Sequence, residues 1–119
     1  MLVIVSFAFT SINIFAVQGG SLTREEAIEI SRNSGLVREF LENADGYTLE
    51  VHHMNRTQID RLIEEYPRRR EWYPDDHGVW DVTWYIHPVD APSAFAYVVT
   101  HIIDEETGEI THEGAISAR

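Results

Sequence analysis

The chain contains no cysteine and no lysine. Without cysteine there is no disulfide framework, no thiol nucleophile and no thiolate metal site. Without lysine there is no Schiff-base or amine nucleophile, and all nine basic side chains are arginine. The sequence also lacks G-x-S-x-G and H-E-x-x-H, the local signatures of serine hydrolases and zinc proteases. Its six histidines show neither H-x-x-x-H nor H-x-H spacing. Charge is missing from the first 17 residues altogether, and it begins abruptly at Arg24.

That uncharged stretch, MLVIVSFAFTSINIFAV, is interrupted by Ser6, Thr10, Ser11 and Asn13. It is short for a membrane span and fits the apolar core of a signal peptide, with Ile14-Phe15-Ala16 as a cleavage site. The expected organisation is therefore residues 1–20 as signal peptide or membrane anchor, and residues 21–119 as one domain outside the cytoplasm, either secreted or membrane-anchored. A domain of this size buries a modest core without covalent staples.

Twenty acidic residues against nine arginines leave a net charge of −11. The imbalance is sharpest from Glu71 to Ala118, which carries ten acidic residues and no arginine. Such a field repels nucleic acid and anionic membranes, so neither is expected as a partner beyond the leader itself. It either serves as a solvated surface that maintains solubility or attracts a basic partner.

The longest readable pattern runs from Val79 to Ser117 and holds two of the three tryptophans. Trp80, Val82, Trp84 and Ile86 alternate with Asp81, Thr83 and Tyr85, the period of a strand with one buried face. Pro88 to Ser93 turns the chain, and Phe95 to Ile103 forms a second strand rich in β-branched and aromatic residues. Asp104 to Gly108 predicts a tight reversal with Gly108 at positive φ, and Glu109 to Ser117 returns as a third strand. Phe95, Tyr97, Val99 and Ile103 share one face, yet Ala96, Val98 and Ile102 make the other nearly as apolar. Either both faces are covered or one is an interface.

Upstream, Thr23 and Glu26 predict a capping box opening a helix with Ala27 and Ile30 buried, Leu22 serving as staple and Ser34-Gly35 as the stop. Leu36 to Leu41 resumes helical spacing, and Asn43 to Gly46 turns the chain. Tyr47 to Met54 alternates as a half-buried strand. Asn55 and Gln58 predict a second capping box before Ile59, Leu62, Ile63 and Tyr66, one face of a helix that Pro67 ends. A polar loop then runs from Arg68 to Gly78. The expected fold is α+β, with helices packed on one face of an antiparallel sheet. Trp80 and Trp84 are expected to pack against Ala27, Ile30 and Leu62.

Two blocks resemble the PepSY domain, found in propeptides of thermolysin-type metalloproteases and in small exported proteins. The first is Leu22 to Ile30, LTREEAIEI, similar to that family's opening helix. The second is Val79-Trp80-Asp81-Val82 followed by Tyr97-Val98-Val99 and by Ile103 to Ile110, IDEETGEI. Together they cover about half of the domain. The resemblance implies a helix packed on an antiparallel sheet outside the cytoplasm, with a binding or protease-restraining role, no catalysis and no cofactor. The sequence departs from the family between Met54 and Gly78, where it inserts a helix and an arginine-rich loop.

Candidate sites are few. His52 and His53 are adjacent on a strand and point to opposite faces. If Asp104 pairs with Glu109, His101 stands opposite His112, a cross-strand pair able to ligate a metal with one carboxylate. Asp104, Glu105, Glu106 and Glu109 lack the alternation of an EF-hand and suit an exposed turn. The loop Arg68, Arg69, Arg70, Trp72 and Tyr73 gathers the residue types that anchor interfaces, unless its rings fold back over the core edge. The sequence is therefore read as a non-catalytic module that binds a protein or peptide, a protease being one such partner, through that loop. The alternatives are a small metal-dependent hydrolase built on His101 and His112, and a structural domain that forms a homodimer through its second apolar sheet face.

Overall fold

A computed structural model describes residues 21–90 and 96–118. Helix α1 (Arg24–Arg32) and helix α2 (Gly35–Glu42) precede strand β1 (Ala44–Met54), and helix α3 (Arg56–Glu65) runs into a 3-10 helix (Pro67–Trp72). Strands β2 (Val79–Pro88), β3 (Ala96–Asp104) and β4 (Ile110–Ala118) complete the chain. The four strands form one antiparallel sheet in the order β1-β2-β3-β4. The fold is α+β, as the patterning predicts.

Both predicted capping boxes are present. The Thr23 hydroxyl accepts the Glu26 N–H at 3.1 Å, and the Glu26 carboxylate accepts the Thr23 N–H at 2.8 Å. Asn55 and Gln58 repeat the exchange at the start of α3. Each box satisfies two amides that a helix start leaves without partners. Ser34 and Gly35 behave differently from expectation. Ser34 accepts the Val37 N–H and starts α2, while Asn33 closes α1. Strand β1 also begins earlier than predicted, at Ala44, because a bulge between Ala44 and Gly46 absorbs Asp45 into the sheet.

The sheet is packed from both sides. On one face, α1 and α2 bring Leu22, Ala27, Ile30 and Val37 against Val82, Trp84, Ile86, Val99 and Ile103. On the other, α3 and the 3-10 segment bring Ile59, Ile63 and Tyr73 onto Val79 and Ile102. This corrects the single helical layer expected for all the helices. Leu62 lies with α3, across the sheet from Trp80 and Trp84, so it does not join their core. Trp84 is fully buried, whereas Trp80 sits at the rim, its indole N–H donating to the Leu22 carbonyl at 3.0 Å.

The β3–β4 reversal follows its predicted chemistry. Gly108 has φ 77°, and its N–H donates to the Asp104 carbonyl at 2.9 Å. The Asp104 carboxylate accepts the N–H groups of Glu106 and Thr107 at 2.8 and 3.1 Å, closing the turn locally. Val89 and Asp90 are in the first hairpin's turn, and the rest of that predicted reversal, with Phe95, lies outside the described residues. The predicted leader lies outside them as well.

Candidate functional site

The expected loop is a 3-10 helix over Pro67–Trp72, with Tyr73 as its extended C-cap. Pro67 at its first turn presets φ, and the Trp72 carbonyl accepts the Thr111 hydroxyl of β4 at 2.6 Å. Arg68 and Arg70 are exposed. Arg69 stacks its guanidinium over the rings of Tyr66 and Trp72, 4.3 and 5.2 Å from their centroids. Trp72 lies flat on His112, centroids 3.6 Å apart and planes 15° from parallel. Tyr73 is only 8% exposed and belongs to the core beneath α3. Arg69 and Trp72 thus form a wall, and the Tyr73 ring folds back over the core edge.

Beside that wall the sheet face is open. A groove of about 450 Å³ runs past Leu62 and Trp72 over Val98, Ile102 and Ile116. Ile116 is 66% exposed, and β4 has no strand on its outer edge among the described residues. One carboxylate, Asp81, lies in the groove. Burial raises its pKa above the ordinary carboxylate range, against the pull of the Thr83 hydroxyl and of His52. Burial and the nearby Arg69 guanidinium hold His112 below the ordinary imidazole value.

The predicted His101–His112 pair does not form. Asp104 and Glu109 do pair, through an Asp104 N–H to Glu109 carbonyl bond of 2.8 Å, but a bulge between Ile102 and Ile103 follows at once. Ile103 faces Ile110 and Ile102 faces His112, leaving Thr111 as the extra residue on β4. His101 therefore stands opposite Glu113, and the two histidines face opposite sides of the sheet. Among the described residues, no group of three or more histidine, aspartate or glutamate side chains is arranged to hold a metal ion.

His101 instead joins a polar line within the closed core, which the sequence patterning missed. The Trp84 indole N–H donates to the Ser31 hydroxyl at 2.7 Å. Ser31 lies 2.6 Å from His101 Nδ1, and His101 Nε2 lies 2.8 Å from the Glu113 carboxylate. An indole only donates and a carboxylate only accepts, so the direction that leaves no donor idle runs Trp84 to Ser31 to His101 to Glu113. The residue types are those of a serine–histidine–acid triad. Ser31 and His101 are fully buried, however, and the Ser31 oxygen is already occupied by the indole. A nucleophile must reach its substrate, and this hydroxyl has no exposed surface. The available signal was positional: Ser31 lies four residues after Ala27, on the buried face of α1.

At the end of the sheet near the β3–β4 turn, polar groups are again closely matched. His77 Nε2 lies 2.9 Å from Asp104 and Nδ1 2.7 Å from Asp76. Glu105 receives His53 at 2.6 Å and the Gly78 N–H at 2.7 Å. Burial alone would raise Asp104 and Glu105, but the hydrogen bonds from His77, His53 and backbone amides outweigh it and lower both. Burial likewise opposes protonation of His77, and Asp104 and Asp76 outweigh it, raising the imidazole value. These carboxylates are already spent on protein partners.

Among the described residues no helix is long and apolar enough to cross a membrane. No family model matches the chain, no curated protein matches it, and no solved structure matches it.

Proposed function

We propose that the domain is a non-catalytic, extracytoplasmic binding module that takes an extended segment of a partner protein into the groove beside β4. The observation that carries this reading is the juxtaposition of an apolar, half-covered sheet face with an edge strand. An extended chain lying along β4 meets backbone donors and acceptors without strand partners. Its alternate side chains then fall toward Trp72, Val98 and Ile116. Arg69 and Trp72 form the rigid wall, and Arg68 and Arg70 extend a basic rim for outer contacts. The PepSY-like blocks support placing such a module outside the cytoplasm and give a protease as the first partner to try.

The direct test is titration of the ¹⁵N-labelled protein with acetyl-Val-Thr-Val-Thr-Val-amide, an extended peptide carrying no charge. New hydrogen-exchange protection along Ile110–Ala118, with shifts at the Trp72 indole, is the expected result. Absence of both would remove the groove from consideration. The exposure of Ile116 favours a second reading, a homodimer joined through the same face. Sedimentation across a concentration series separates the two, because a dimer would already occupy β4 before peptide is added.

A further inference from the structure

Resting on the groove as the binding surface, we propose that Asp81 selects a basic side chain, the lysine or arginine of the bound segment. The domain treats its buried and half-buried carboxylates differently. Asp104 accepts His77 and two backbone amides, and Glu105 accepts His53 and the Gly78 amide. Asp81 accepts only the Thr83 hydroxyl, at 3.2 Å, among the described residues. That hydroxyl is shared, since Thr83 also contacts the Thr100 hydroxyl at 3.1 Å. An ionised carboxylate offers about four acceptor positions, and a single described protein donor reaches those of Asp81.

The position of Asp81 turns this deficit into a site. It is half-buried in the groove, facing the same side of the sheet as its cross-strand neighbours His52 and Ile102. No ion pair to it is present among the described residues. Arg69, the cation at the groove wall, is committed to the Tyr66 and Trp72 rings. A half-buried carboxylate with one protein donor keeps part of its desolvation cost, and a cation with several N–H groups offsets it. The nearby aromatic and aliphatic walls, Trp72, Tyr73 and Met54, suit the methylene stem of a long basic side chain. The net charge of −11 draws the same class of partner at long range.

The test uses the full chain and three blocked peptides, acetyl-Val-Thr-X-Thr-Val-amide, with lysine, norleucine or glutamate at the centre. Lysine is expected to bind about tenfold more tightly than norleucine, and glutamate more weakly than either. Asp81→Asn should erase the lysine preference, with a melting temperature no lower than that of the wild type showing that the variant is folded. A lysine preference that survives Asp81→Asn, or lysine and norleucine binding equally, would overturn this assignment and leave the groove reading standing. Binding of none of the three would overturn both.

Discussion

The two faces of this sheet use the same strands for different ends. Under α1 and α2, Val82, Trp84, Ile86, Val99 and Ile103 of the central strands are buried, and the polar groups that enter are paired in series from Trp84 to Glu113. Under α3 and the 3-10 helix, packing covers Val79 and Ile102, with Met54 and His112 beside them, and the surface continues open past Asp81, Thr100, Val98 and Ile116. The closed face is therefore where stability resides, because removing apolar area from water is the main favourable term in folding. The half-open face has area still to bury and a carboxylate still short of donors. A fold can carry both only if the first is strong enough to hold the second in place.

The difference between the two faces is largest at Trp84. Trp84→Ala should cost about 3–5 kcal/mol in urea denaturation, because it opens a cavity and strips Ser31 of its donor. Trp80→Ala, at the rim, should cost clearly less, and equal losses would mean that the closed face is not centred on Trp84. On the open face the expectation reverses. Trp72→Ala should weaken peptide binding by about 2 kcal/mol and shift stability less than that, because its ring forms a wall rather than a floor. Loss of binding only in step with unfolding would assign Trp72 to the core.

A smaller effect is expected at the turn joining β3 to β4. Gly108→Val forces a β-branched residue to φ 77° and should cost about 1–3 kcal/mol, while Glu106→Ala stays within about 0.5 kcal/mol. Matching losses at the two positions would contradict the turn geometry.

The smallest effect is in the pH profile. Asp104 and Glu105 have lowered values, so their contribution is present above their unfolded values, 3.8 and 4.5, and is lost as pH falls through the folded ones. His77 has a raised value, so its contribution is present below 6.5 and is lost as pH rises through the folded one. Stability measured from pH 3 to 9 should therefore be highest between about pH 4.5 and 6.5. Asp81 works the other way: its raised value makes ionisation a burden on the fold, and Asp81→Asn should leave the neutral-pH melting temperature unchanged or higher. A profile flat on both sides in the wild-type protein would show that the His77 cluster contributes nothing.

Local chemistry was legible in the sequence, and long-range placement was not. The boxes at Thr23 and Asn55, the meander and Gly108 each depend on residues a few positions apart. Which face α3 takes depends on how a connection of some twenty residues folds back, and its own periodicity is the same either way. The register at His112 depends on one extra residue, Thr111, whose hydroxyl bonds to the Trp72 carbonyl. A one-residue bulge leaves no mark in composition, yet it reverses the side to which every following residue points. Of the five predicted contact residues, Arg69 and Trp72 line the groove wall and Tyr73 is largely core, while Asp81 was hidden inside an alternating strand pattern.

The attachment of Leu22 has a mechanical side. Its N–H donates to the Glu105 carbonyl at 2.7 Å, its carbonyl receives the Trp80 indole, and its side chain is buried. Tension arriving along the backbone before residue 22 is thus taken up at the sheet end where Trp80, Ile103 and the β3–β4 turn meet. Val98 and Ile116, where the groove is most open, pair farther along the sheet toward its opposite end. A pull at Leu22 and a load on the outer part of β4 therefore enter the domain at separate points, one at each end of the sheet.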